Sequence, residues 1–264
     1  MYINFDLDEG MIKILGYVTV FIYGLIIGSF LNVCVYRIPL NQSIVYPPSN
    51  CPRCNTRLNW KDLIPVLSYA ILKGKCRYCG NKISITYPVQ ELFTAIIFLI
   101  TYYKYGFSIY LFKYVILFSI LIVISNIDIK HQDVYTSTTI PGIISGLIFA
   151  IIEQYFAIGS FKNYFIGAVI AAVIIGLIVY ITGAMGEGDI EIAALCGTFI
   201  GWKLSILMII LAFILGGVIG TILIATNIKG RRDYMAFGPF LALGALISVL
   251  FGSAIINYYL VLFF

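Results

Sequence analysis

Charge is the scarcest property of this sequence. Asp, Glu, Lys and Arg make up 11% of its 264 residues, whereas soluble domains carry roughly a quarter, so water is excluded as the main solvent. Histidine occurs once, at His131, and is read as a solvated loop residue rather than a third catalytic group. The N-terminal stretch holds Asp6, Asp8 and Glu9 and lacks the basic start of a cleavable signal peptide, so the first apolar run is expected to stay. No glycine-rich phosphate loop of a soluble nucleotide fold is visible. There is no aromatic and basic platform of the kind that binds single-stranded nucleic acid, so no nucleic-acid partner is expected. Nor is there the internal repeat between halves that a transporter of this size should show.

Apolar residues fill the space that charge leaves. They account for 61% of the chain, and mean hydropathy is +1.00. A membrane span needs about 20 consecutive apolar residues. Eight candidate spans follow, at approximately 11–36, 88–103, 110–127, 138–158, 162–183, 189–202, 204–227 and 236–263, the sixth being short and set off from the seventh only at Gly201–Lys203. The expected fold class is an all-α polytopic membrane protein with a cytoplasmic loop between its first two spans. Three domains are expected: 1–36, the N-terminal tail and first span; 37–87, the loop; and 88–264, the remaining spans.

Positive charge sets orientation, because cytoplasmic segments of membrane proteins accumulate Lys and Arg. With the N-terminus outside, 12 of the 17 basic residues are cytoplasmic: Arg37, Arg53, Arg57, Lys61, Lys73, Lys75, Arg77, Lys82, Lys130, Lys229, Arg231 and Arg232. Lys13, Lys104, Lys113, Lys162 and Lys203 fall at outer helix ends, as does Glu153, and both termini face outward. The loop 37–87 carries eight basic residues against Asp62 alone. Such a patch suits topology first and contact with membrane lipid second.

That loop also holds four of the six cysteines, as Cys51-Pro-Arg-Cys54 and Cys76-Arg-Tyr-Cys79 with 21 residues between the pairs. Each pair can turn two sulfurs toward one point, and Gly80 supports the reversal, as in a four-thiolate zinc site. A disulfide framework is disfavoured in the reducing cytoplasm, and a thioredoxin-like pair would lack its βαβ context. With four thiolates no position is open for a catalytic water, so the zinc is expected to be structural. Cys34 and Cys196 lie in apolar spans and read as packing residues.

Acidic residues near hydrocarbon are costly and usually functional. Asp128 and Asp133 follow the third span, and Glu187, Asp189 and Glu191 straddle the start of the sixth. The charge-derived topology puts both groups on the cytoplasmic face. Two neighbouring carboxylates can split their titrations, so that one takes a proton from water while the other polarises a carbonyl. Asp128 and Asp189 are therefore the expected catalytic pair, with Gly186 and Gly188 permitting a substrate strand to lie close. The bland alternatives are an N-cap role for Asp189 and a pairing of Asp128 with Lys130 or His131. Gly24xxxGly28 and Gly216xxxGly220 suit helix packing.

These residues together give a resemblance to the bifunctional type IV prepilin peptidases, the leader peptidase and N-methyltransferase family. It rests on Gly28-Ser-Phe-Leu-Asn-Val33 with Arg37 and Pro39, the two CxxC pairs around Leu63–Tyr69 and Gly74–Arg77, Tyr87-Pro88 with Glu91, Gly186-Glu-Gly-Asp189 and Phe237-Gly-Pro-Phe240. The Gly186–Asp189 stretch matches the GxGD motif of intramembrane aspartic proteases. The resemblance implies cleavage of a short basic leader from type IV prepilin and pseudopilin precursors at the cytoplasmic face of the bacterial inner membrane. It also implies methylation of the new N-terminal amine by S-adenosylmethionine, with Lys73, Lys75, Arg77 and Glu91 as candidate contacts to the donor. The chain departs from the family at Glu191, where lysine is usual, at Ala236 in place of proline, and at Tyr135-Thr136 in place of Pro-Asp. The contrasting expectation is a zinc-stabilised transporter or scaffold of the pilus assembly machinery.

Overall fold

In hydrocarbon a backbone must satisfy its own hydrogen bonds, and long apolar runs therefore fold as helices. The computed structural model describes residues 9–183, 185–228, 230 and 235–263. Asp6, Asp8, Lys229, Arg231, Arg232 and Asp233, which entered the charge and acid count, lie outside the described residues. Among the described residues there are eight α-helices: α1 (Glu9–Arg37), α2 (Leu67–Ile71), α3 (Thr86–Tyr105), α4 (Ile109–His131), α5 (Thr136–Tyr155), α6 (Phe161–Thr182), α7 (Gly188–Ala225) and α8 (Gly238–Phe263). Among the described residues β-structure is confined to two isolated bridges, in the cysteine loop.

Among the described residues six helices, α1 and α4 to α8, are long and apolar enough to cross a membrane. α3 overlies the second predicted span but buries Gln90, Glu91, Thr94 and Thr101 along one face. α7 runs through the sixth and seventh predicted spans as one element of 38 residues, broken at Gly201, whose φ of 75° and ψ of 171° are not helical. The break falls within the junction expected there. At ~1.5 Å per residue, the part before it is ~20 Å long. Its residues from Ile192 to Gly201 are buried but for Ala194, so this half-helix is the centre of its unit.

The chain divides into two compact units, Met1–Leu111 and Phe112–Phe264. In the first, α1 and α3 cross closely. A Cβ at Gly24 would lie 2.5 Å from Ala95 Cα and one at Gly28 would lie 2.8 Å from Glu91 Cα, so the Gly24xxxGly28 step is a true contact face. In the second, α7 packs against α5, α6 and α8. Gly216xxxGly220 is not the close step there, because a Cβ at Gly216 would meet neighbours only at an ordinary 3.5 Å. Tight crossings lie instead between α6 and α7, where added Cβ atoms at Gly167 and Gly197 would fall 2.6 Å and 2.5 Å from the facing backbone, and between α7 and α8, where one at Gly244 would fall 2.5 Å from Met208 O. Gly197 stands four residues before Gly201, so this face of α7 is itself a Gly-xxx-Gly step, one that the sequence reading did not single out.

Lys113 and Glu153 stand near helix ends, as expected, but are not exposed there. Both side chains are fully buried, and Lys113 Nζ donates to Glu153 Oε1 at 2.6 Å. The Tyr164 hydroxyl donates to Glu153 Oε2, and Lys113 Nζ sits 3.7 Å from the Tyr164 ring centroid. The start of α4, the end of α5 and the start of α6 are thus tied together. Removing one member of a buried pair strands the other charge, at a cost of ~3–5 kcal/mol, whereas an apolar replacement of both can be neutral. Lys113→Met alone is therefore expected to lower the thermal midpoint of the protein in detergent strongly, and Lys113→Met with Glu153→Leu is expected to recover most of the loss.

Candidate active site

The first candidate centre is the cysteine loop in the first unit. Each CxxC closes a knuckle of the same pattern. Asn55 N donates to Cys51 O at 2.8 Å and Cys51 N to Thr56 O at 3.0 Å, while Gly80 N donates to Cys76 O at 3.0 Å and Cys76 N to Asn81 O at 2.8 Å. Asn55 (φ 54°) and Gly80 (φ 69°) hold the matching left-handed position, which glycine and asparagine tolerate best. The sulfurs of Cys51, Cys54, Cys76 and Cys79 all lie within 4.8 Å of one another, with Cys51 and Cys79 at 3.9 Å. Metal–sulfur bonds of ~2.3 Å in a tetrahedron place sulfurs ~3.8 Å apart, so the four fit one metal ion.

Their electrostatics point the same way. Side-chain and backbone hydrogen bonds from Thr56 draw the Cys54 thiol down to about 6, and the backbone amides of Cys79 and Tyr78 lower Cys76. The Asn81 amide favours a Cys79 thiolate, but burial and the neighbouring sulfurs outweigh it and push Cys79 up to about 11. Four sulfurs at this spacing resist ionising together without a cation between them. Asp62 braces the knuckles: it accepts Arg77 Nε at 2.6 Å, the Tyr78 hydroxyl at 3.1 Å and the Asn59 amide at 3.1 Å. Burial opposes ionisation of Asp62, yet these donors, Arg77 foremost, hold it below the usual carboxylate range.

Of the residues named for the methyl donor, Arg77 is thus engaged by Asp62. Glu91 is buried and accepts the Val66 amide at 2.8 Å, holding a β-branched residue at φ 60°. Lys73 and Lys75 have exposed side chains. Arg37 is also no free surface charge. It is buried and donates to Ser43 O at 2.9 Å and Pro47 O at 2.7 Å.

The second centre is in the second unit. Asp128 stands near the end of α4 and Asp189 at the start of α7, each 5% exposed. Both line one cavity of about 340 Å³, together with Gln132, Asp133, Val134, Gly186, Glu187, Gly188 and Phe237. All four predicted site residues of this unit, Asp128, Asp189, Gly186 and Gly188, therefore come together. Asp189 is the second residue of α7, whose N-cap position is Glu187, so the capping role does not describe it. Among the described residues Asp128 forms no ion pair with Lys130 or His131, both exposed. Its Oδ2 instead accepts the Gly238 amide at 2.9 Å.

Other residues of this site were not assigned roles from sequence. Gly238 and Phe237 belong to a stretch noted there only as a motif. Gly188 has a further contact: a Cβ on it would lie 2.5 Å from Val134 Cβ, so its missing side chain also seats the loop after α4 against α7. Glu191 accepts the Thr139 hydroxyl from α5, which gives the acid in place of lysine a structural partner. The cavity is lined by four carboxyl groups, and by no Lys, Arg or His among the described residues.

Two family models match the chain: the bacterial peptidase A24 N-terminal domain over residues 22–105 and the type IV leader peptidase family over residues 115–221. A protein of Bacillus subtilis called prepilin leader peptidase/N-methyltransferase is 33% identical over 91% of this chain and 96% of its own length. One of the same name from Myxococcus xanthus is 35% identical over 81% of this chain and 65% of its own, and one from Legionella pneumophila is 29% identical over 92% and 94%. No solved structure matches. A helical membrane protein with buried paired aspartates and a four-cysteine loop is the class that the fold and its sites define. Within that class, the chain belongs to the prepilin leader peptidase/N-methyltransferase family, and it is a multi-pass bacterial membrane protein.

Overpacking a closed contact costs ~1–3 kcal/mol. Gly188→Ala is therefore expected to lower the thermal midpoint, and adding Val134→Ala should return part of it, as read by thermal denaturation in detergent.

Proposed function

We propose that this chain cleaves the leader peptide from type IV prepilin and pseudopilin precursors with Asp128 and Asp189, and then methylates the exposed N-terminal amine. The observation that carries this reading is the meeting of two buried carboxyl groups, from separate helices, on one cavity. One carboxylate takes a proton from water as that water attacks the scissile carbonyl, and the other, protonated, donates to the carbonyl oxygen. Gly186 lines the same cavity, where a glycine lets a substrate backbone approach. The additional carboxylates Asp133 and Glu187 suit a basic leader.

The family name of the relatives supports the methyl-transfer step, for which S-adenosylmethionine would supply an activated methyl group. We place donor recognition in the segment 37–87 and the adjoining Glu91, with the exposed Lys73 and Lys75 ahead of the engaged Arg77 and Glu91. We assign zinc to Cys51, Cys54, Cys76 and Cys79, as a structural ion, because four thiolates close the tetrahedron. The functional division proposed is 1–36 as tail and first span, 37–87 as zinc-binding and methyltransferase-associated, and 88–264 as the transmembrane protease. The eight-span topology has both termini outside and both active sites on the cytoplasmic face. It rests on the Lys and Arg bias, and the basic loop is proposed to touch membrane lipid rather than nucleic acid.

Purified protein incubated with a pilin-like precursor is expected to release the leader. Asp128→Asn and Asp189→Asn should each slow cleavage by at least ~10³-fold, within the range removed with a general acid or base; wild-type cleavage by either variant would refute the pair. Metal analysis should find about one zinc per chain by its four-thiolate chemistry. Cys76→Ser should reduce that content sharply and lower the protease resistance of residues 37–87, with an unchanged zinc content counting against the assignment.

A further inference from the structure

We infer that Gly238 is a positioning residue for proteolysis: its backbone N–H orients the Asp128 carboxylate, and the position excludes any side chain because a Cβ would take the space of that carboxylate. The inference rests on the proposed role of Asp128 and Asp189 and adds a residue to it. Gly238 is the first residue of α8, and its amide is one of the donors a helix leaves unpaired at its N-terminus. Here that donor is spent on Asp128 Oδ2, 2.9 Å away and 110 residues earlier in the chain. The α8 dipole adds to the effect, since its positive end favours negative charge at that point. With Oδ2 so held, Oδ1 is the oxygen left to the reacting water.

The need for glycine is steric rather than conformational, since Gly238 is absent from the positive-φ positions among the described residues. A Cβ built on it would stand 2.7 Å from Asp128 Oδ2 and 3.0 Å from Ile192 Cδ1. Ile192 follows Asp189 by three residues on α7, one turn along the same helix face. Gly238 is therefore the point at which α8 enters between the acid of α4 and the helix that carries the acid of α7. Both atoms that a methyl group would displace are tips of side chains, which can turn at little cost to the fold. One of those tips is the proposed catalytic oxygen. Phe237, which precedes Gly238, lines the cavity and is held by ring contacts to Phe213 at 5.0 Å and Phe240 at 6.1 Å, so the donor is not on a loose segment.

The test separates positioning from folding. Gly238→Ala is expected to lower kcat for precursor cleavage by ~10²-fold, the loss that a misplacement of about 1 Å brings. KM should stay within about threefold and the thermal midpoint close to wild type. Adding Ile192→Val, which relieves the second contact only, should not restore kcat. Wild-type kcat in Gly238→Ala, or its recovery in the double variant, overturns the inference. A separate measurement leaves Gly238 in place. Labelling with ¹³C-carbonyl Phe and ¹⁵N-Gly reports two Phe–Gly junctions, Phe237–Gly238 and Phe251–Gly252. Asp128→Ala should move the Gly238 amide upfield and leave Gly252 in place, whereas an unmoved Gly238 signal overturns the inference even if Gly238→Ala fails to fold. Cleavage by Asp128→Asn at the wild-type rate would instead remove the reading on which the inference rests.

Discussion

Every ionisable group set among these apolar helices must find its partner inside the protein, because hydrocarbon offers none. That constraint accounts for the long-range polar contacts of the structure. Lys113 meets Glu153 and Tyr164 across three helices, Glu91 takes a strained backbone amide, Glu191 takes the Thr139 hydroxyl, and Asp128 takes the amide of α8. Each contact joins parts of the chain far apart in sequence, so the groups that are hardest to bury also fix which helices are neighbours.

Close helix contact is the second determinant. Glycine at α1–α3 and α6–α7 removes the side chains that would hold backbones apart, and dispersion between surfaces that near replaces the hydrophobic force that lipid cannot supply. Gly201 has a different use. It interrupts α7 where a Cβ would lie 2.4 Å from Asn163 Nδ2, so the buried half bearing Asp189 ends where α6 presents a polar side chain. The result is one rigid pillar inside its unit, with Asp189 at one end and Asn163 beside the other.

Much of this was legible in the sequence because it depends on composition and local pattern. Apolar runs located the helices, and the Gly201–Lys203 junction marked the break in α7. The CxxC spacing foretold the cluster of four sulfurs. Asp128 and Asp189 stood out because carboxylates beside long apolar runs are rare, and the structure puts both on one cavity. What escaped was what depends on partners. Lys113 and Glu153 looked like helix-end charges because their pairing spans 40 residues. Gly188 lines the cavity, but its close approach to Val134 could not be read from the sequence. Gly238 carried no chemical signal, since its contribution is a backbone amide that every residue but proline possesses.

The bond from Gly238 to Asp128 also bears on how such a protein is made. Helices enter a membrane in the order of synthesis, and α4 and α7, which carry the two acids, are complete before α8 emerges. Until α8 arrives, Asp128 has no Gly238 amide to receive. The last helix thus supplies a contact of the cavity wall that comes after both aspartates are already in place, so a nascent chain that holds Asp128 and Asp189 still lacks the donor that Asp128 receives.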